Sequence, residues 1–161
     1  LESGQVITKD YTVGPSSHFN IWVDLEDAAL ASAALSTRVT STNGVPIIVE
    51  RAMWWPGSFE EWYEAHNSPG ETSTGTRWAM AEGEVGGPRE TETYVLIANT
   101  SPFAGTARVT VLFEDGTAAI TRDFALNPSS RTNVVPVDDF PETQGKRFGL
   151  LIESVGATPA Q

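Results

Sequence analysis

The run Arg108-Val109-Thr110-Val111-Leu112-Phe113-Glu114-Asp115-Gly116-Thr117-Ala118-Ala119-Ile120-Thr121-Arg122-Asp123-Phe124 decides the fold class. Both halves are rich in β-branched and aromatic residues, which suit a pleated, half-buried surface. Between them stands Asp115-Gly116. An Asp-Gly pair flanked by apolar runs is a strong hairpin signal, because glycine takes positive φ without steric cost. Working outward, short runs of Val, Ile, Thr and aromatics bounded by Gly, Pro, Asn or Ser predict strands over 6–13, 19–24, 34–42, 46–53, 77–81, 92–98, 108–113, 119–126, 132–137 and 148–154. Asn43-Gly44 marks a second turn ahead of the strand over 46–53. Helix signals are few: the Ala-rich stretch 27–35, and 58–65, where Ser58 with Glu61 three residues on resembles a capping box. The expected class is all-β, a two-sheet antiparallel β-sandwich, Ig-like or related, with at most one or two short helical turns.

The second half of the hairpin has an echo. Ile120-Thr121-Arg122-Asp123-Phe124 repeats Ile7-Thr8-Lys9-Asp10-Tyr11 at an offset of 113 residues, and Pro128-Ser129-Ser130 repeats Pro15-Ser16-Ser17 at the same offset. Asn20 then meets Asn133, Ile21 meets Val134, Val39 meets Ile152, Ser41 meets Ser154 and Pro46 meets Pro159. Upstream, Leu1-Glu2-Ser3-Gly4-Gln5 resembles Phe113-Glu114-Asp115-Gly116-Thr117 after a one-residue shift. Seven of the 14 positions from 7 to 20 are identical, and the offset survives a loop without slipping, which argues against coincidence. The expected organisation is a single sandwich unit over 1–161, built from about one and a half copies of a 113-residue repeat. The alternative is two half-units, 1–55 and 76–161, joined by a loop over 56–75. Both chain ends fall at odd points within the unit, as in an excerpt from a longer array or a permuted unit, and neighbouring repeats of the same polypeptide are the expected partners.

Bulk properties narrow the function classes. The chain has 161 residues, no cysteine, and a net charge of −11 from 21 acidic and 10 basic side chains. The length suffices for a hydrophobic core without disulfides. Nucleic acid and anionic membrane surfaces are disfavoured partners, because both need Lys and Arg. No stretch is apolar enough to insert in a membrane as a helix.

Several phrases resemble a bacterial repeat family. Val45-Pro46-Ile47-Ile48-Val49-Glu50-Arg51-Ala52-Met53-Trp54-Trp55 is similar to its "PIVVERAMYW" strand, Trp78-Ala79-Met80-Ala81-Glu82-Gly83 to its "WYFAEG" phrase, and Glu92-Thr93-Tyr94-Val95-Leu96-Ile97-Ala98-Asn99 to its "ETYILLLNP" strand. The stretches 106–113, 114–116 and 127–131 follow in the family's order. The chain thus resembles the DUF5719-type repeat, a family of unknown function found in large exported proteins of actinobacteria and relatives. The resemblance implies an extracellular or cell-surface location and transfers no catalytic residue. It weakens between Pro56 and Gly75, where the family tends to a glycine-rich loop and this chain carries Phe59-Glu60-Glu61-Trp62-Tyr63-Glu64-Ala65-His66.

That departure is the foremost candidate site. Trp54, Trp55, Trp62, Tyr63 and His66 cluster there, with three of the five tryptophans. Flat aromatic faces stack on sugar rings, so a long loop carrying them suits a glycan or peptide of a surface partner; the plainer reading is a lid folded over one end of the sandwich. Asp24, Glu26 and Asp27, echoed by Asp138 and Asp139, are weak candidates for calcium, which favours oxygen-rich loops, although no EF-hand spacing is present. Otherwise no metal or cofactor is indicated. Glu60, Glu61 and Glu64, and Glu82 with Glu84, lie close in sequence, but glycoside hydrolysis needs facing carboxylates and adjacency does not supply that. His18 aligns with Arg131, so the repeat does not demand an imidazole. Lys9 and Lys146 are the only lysines, and Lys9 aligns with Arg122, which disfavours an intramolecular isopeptide bond. Strand alternation puts Arg51 beside Ile47 and Val49, as an inward-reaching partner for Glu82 or Glu153 that fixes register. The expectation is a non-catalytic structural or adhesive module of a secreted surface protein. A carbohydrate- or peptide-binding module using 54–66 is the alternative, and an accessory domain of a secreted hydrolase the third.

Overall fold

The computed structural model describes residues 1–57 and 62–156, with side chains described outside 55–64. The chain divides into two compact units, one of Leu1–Ser36 with the chain from Gly75 onward, the other of Thr37–Thr74. The described chain is mostly β, with antiparallel sheets and two four-residue helical turns.

In the larger unit the strands are β3 (Arg77–Val85), β4 (Val95–Asn99), β5 (Gly105–Phe113), β6 (Ile120–Leu126), β7 (Ser130–Val134) and β8 (Lys146–Val155), with a helical turn α2 (Pro136–Asp139) after β7 and a 3-10 turn over Pro141–Thr143. A four-stranded sheet runs in the order β3-β8-β5-β6, and β4 pairs with β7 in a separate ribbon. The opening hairpin forms as expected: β5 and β6 pair antiparallel with Val109 opposite Arg122, and Gly116 between them takes φ 79°. Burial along β5 has period two, with Ala107, Val109, Val111 and Phe113 inside and Arg108 and Leu112 outside. On β8, Phe148, Leu150 and Ile152 turn inward. These residues join Val85, Val95, Leu126, Val134 and Phe140 in one core that draws on both sheets. Each such apolar side chain contributes on the order of 1.5–3 kcal/mol by leaving water. A bulge between Met80 and Gly83 lets β3 follow β8, and Gly83 lies so close to the Phe148 ring that a Cβ there would stand 2.5 Å from it.

The smaller unit is a hairpin of β1 (Glu50–Gly57) and β2 (Trp62–Pro69), antiparallel with Trp54 opposite Ala65 and Met53 opposite His66. This corrects two expectations. The aromatic stretch 54–66 belongs to a strand pair rather than a long loop, and the part of the expected helix 58–65 that is described, from Trp62 on, is strand; 58–61 lie outside the described residues.

The first half of the chain departs most from expectation. Residues 6–13, 19–24 and 34–42 form no strand, and the strand expected over 46–53 starts only at Glu50. The Ala-rich stretch 27–35 is a run of turns following a helical turn, α1 (Val23–Glu26). Yet the local geometry of this region recurs at the spacing of the sequence identities. Ser16 takes φ 50° and Ser129, 113 residues on, φ 47°. Ser17 Oγ donates to the Gly14 carbonyl at 2.7 Å, as Ser130 Oγ does to Asn127 at 2.8 Å. The turn α1 sits 113 residues before α2, and the Leu25–Trp22 and Leu30–Asp27 backbone bonds match Asp138–Val135 and Thr143–Phe140. Gly4 at φ 81° corresponds to Gly116 only after the one-residue shift, at an offset of 112.

Candidate functional site

The aromatic candidates sit on the β1–β2 hairpin. Trp54 is 50% exposed and shares its strand face with Ala52, Ala65 and Asn67 by the register of the ladder. His66, opposite Met53, is exposed. The backbone places Trp55 opposite Glu64 and Trp62 opposite Gly57, with Tyr63 next to Trp62; the side chains of Trp55, Trp62 and Tyr63 lie outside the described residues. The pairing thus gathers the five candidates on one hairpin. Arg51 is exposed, and Glu153 has Arg77 as its cation at 3.4 Å, so the inward ion pair expected of Arg51 gives way to a pair between neighbouring strands β3 and β8.

Of the acidic candidates, Glu26, Asp27 and Asp139 are engaged by the chain itself. Glu26 accepts hydrogen bonds from the Tyr11 hydroxyl at 2.6 Å and the Lys9 ammonium at 3.3 Å, while the Lys9 ammonium also donates to the Glu26 carbonyl. The Tyr11 bond, then Lys9, holds the Glu26 carboxyl below its ordinary range, and the same bond pushes the Tyr11 phenol up to about 12. Asp27 Oδ1 accepts the Ala29 N–H at 2.9 Å, as an Asx turn does. In the echo, Asp139 accepts the Val135 N–H at 2.7 Å. No group of three metal-ligating side chains is assembled among the described residues. Within 24–27, the Glu26 carboxylate already has the Lys9 ammonium as its counter-ion.

Two open concavities lie among the described residues of the larger unit. One, of about 360 Å³, lies at the turn ends of β5 and β8 and is lined by Glu114, Asp115, Lys146 and Arg147. Its charges are mutually paired: Lys146 meets Asp115 at 3.0 Å and Arg147 meets Glu114 at 3.7 Å. The Thr117 hydroxyl and backbone N–H, and then Lys146, hold the Asp115 carboxyl down to about 2. Lys146 also donates to Thr117 and stands 4.9 Å from the Phe113 ring, and Lys9 is engaged at Glu26, so both lysines have partners. The other concavity, of about 320 Å³, lies beside the turn where Gly86 and Thr91 exchange backbone bonds. Glu84, on the same strand as Glu82, is paired with Arg89 at 3.6 Å. These pairs are exposed or partly exposed and contribute little stability singly.

One residue escaped the reading of the chain. Asn99 is buried at the end of β4, where its Nδ2 donates to the carbonyls of Phe103 and Asn127 at 2.8 Å each and its Oδ1 accepts the Ser101 N–H at 3.1 Å. It staples the β4 end to the turn before β7. Its only signal was position, an Asn closing an apolar strand just before Thr100-Ser101-Pro102.

The fold and site define a mostly β, antiparallel protein with one hairpin rich in aromatics. No family model matches the chain, and no curated protein matches it. The crystal structure of Thermotoga maritima 1070 is similar over 52% of this chain and 72% of its own, at 20% identity and a TM-score of 0.43, too slight a likeness to bear on fold or role.

Proposed function

We propose that the chain is a non-catalytic β-module of a secreted bacterial surface protein, a spacer or adhesive unit of a repeat array, folded as a two-sheet sandwich of the DUF5719 type. The observation that carries this reading is the joint recurrence of sequence and local geometry at 113 residues, from the left-handed Ser16 and Ser129 to the twin helical turns. A unit that recurs within one chain is the hallmark of architectures whose copies pack on their neighbours. The disposition of charge is in keeping with it: the titratable groups at the concave turn neutralise one another across strands and serve the scaffold.

The half-exposed Trp54, flanked on its strand face by Ala52 and Ala65, favours a second reading, a carbohydrate- or peptide-binding module. Retention on a panel of insoluble polysaccharides and a glycan array separates the two. A spacer gives no retention of the wild-type chain. Retention abolished by Trp54→Ala moves the role to sugar binding. The array itself is tested by fusing two chains head to tail: stacked units unfold at a higher Tm than the single chain, and an unchanged Tm sinks the array.

A further inference from the structure

The two matched stretches differ in what faces them. Along 120–126 every residue of β6 has a partner on β5, and two outward cross-strand pairs mark the register. Arg108 donates from Nε and Nη2 to both carboxylate oxygens of Asp123 at 2.8 and 2.9 Å, and the hydroxyls of Thr110 and Thr121 meet at 3.0 Å. The residues 113 positions earlier than Asp123 and Thr121 are Asp10 and Thr8, identical in type and exposed. Among the described residues, none from 6 to 13 makes a backbone–backbone hydrogen bond, and Asp10 has no ion-pair partner. The apolar positions tell the same story: Leu126 is 4% exposed and its match Val13 is 50%, Val134 is 0% and its match Ile21 is 41%. Meanwhile the side chains of Lys9 and Tyr11 are held by Glu26, and Thr8 and Asp10 beside them are exposed.

We propose that residues 7–13, which form no strand by themselves, become one by pairing with a strand of the chemistry of β5, supplied by another copy of this building block. The occupant is an extended segment of the pattern Ala-Arg-Val-Thr-Val, running antiparallel, with its Arg on Asp10 and its Thr on Thr8. β-Augmentation supplies affinity through main-chain bonds and register through alternate side chains. The bidentate Arg–carboxylate fork is the strongest of these register marks, since charge-assisted and geometrically specific bonds discriminate best. A chain of net charge −11 also favours a strand that brings a cation. The proposal rests on the repeat-module reading and names the partner of its first segment.

The test is the full chain with a synthetic peptide of residues 104–115 carrying a solubilising tail, followed by amide hydrogen exchange. The expected result is at least about tenfold slower exchange within 7–13 on adding peptide. Asp10→Arg in the chain is expected to weaken the peptide about tenfold or more, and a peptide with Arg108→Asp to restore it, as a charge pair should. Unchanged exchange at 7–13, an affinity indifferent to Asp10→Arg, or slowing confined to the edge strands β3 or β6 overturns the inference. The free chain supplies the control: unprotected β5 and β8 amides overturn the module reading as well, whereas protected β5 and β8 with an unresponsive 7–13 overturn this inference alone.

Discussion

The stretches 1–49 and 114–156 share phrases, turn angles and helical turns, yet only the second is sheet and core. What recurs is what a residue settles with its near neighbours: a left-handed serine closed by the next serine's hydroxyl, a helical turn, a glycine at positive φ. What fails to recur is the ladder, because a strand's hydrogen bonds and buried face come from another strand. The comparison separates local from non-local specification within a single chain.

Matched truncations test that difference most sharply. Leu126→Ala is expected to cost about 3 kcal/mol of unfolding free energy, since it empties a buried site, whereas Val13→Ala should fall within about 0.5 kcal/mol. Chemical denaturation of both variants checks it, and equal losses would mean that residue 13 is buried after all. Asn99→Ala comes next. It leaves the carbonyls of Phe103 and Asn127 short of a donor and is expected to cost about 1–3 kcal/mol in the same assay. The carbonyl of Gly14, which matches Asn127, takes an exposed bond from Ser17 that water can replace, so Ser17→Ala should leave the global midpoint almost unmoved.

The smallest effect is ionic. The phenol of Tyr11 is expected to titrate near pH 12, where its match Phe124 has nothing to titrate. Its folded value lies above the ordinary tyrosine value of about 10, so the interaction favours the structure fully below pH 10 and is lost as pH rises through about 12. A difference absorbance titration of the chain against Tyr11→Phe reads it. A Tyr11 transition near 10 would show that Glu26 does not hold the hydroxyl in solution.

Much of the second half was legible along the chain. Each of the six strands expected from 77 onward is present, because Asp115-Gly116, the β-branched alternation of β5 and the Gly and Pro boundaries act over a few residues. The same signals over-read 6–42, where strand-forming composition meets no partner. They also under-read Trp62–Pro69, whose first four residues fell within the short helix expected over 58–65 from Ser58 and Glu61. Of the candidate site, the hairpin brings the aromatics together, but their common element was hidden by the turn signals around Pro56. Asn99 was hidden for a related reason: a buried polar anchor is recognised by the carbonyls that converge on it, and those come from residues four and 28 positions away.

By itself the amino-acid order determined the turns, the period-two strands around the Asp-Gly hairpin and the echo at 113 residues, all of which follow from steric and hydrogen-bonding preferences within a few positions. Tertiary structure alone decided which of two matched segments became sheet. A strand acquires its hydrogen bonds and its buried face only where another strand stands about 5 Å away, and β5 stands beside Ile120–Leu126.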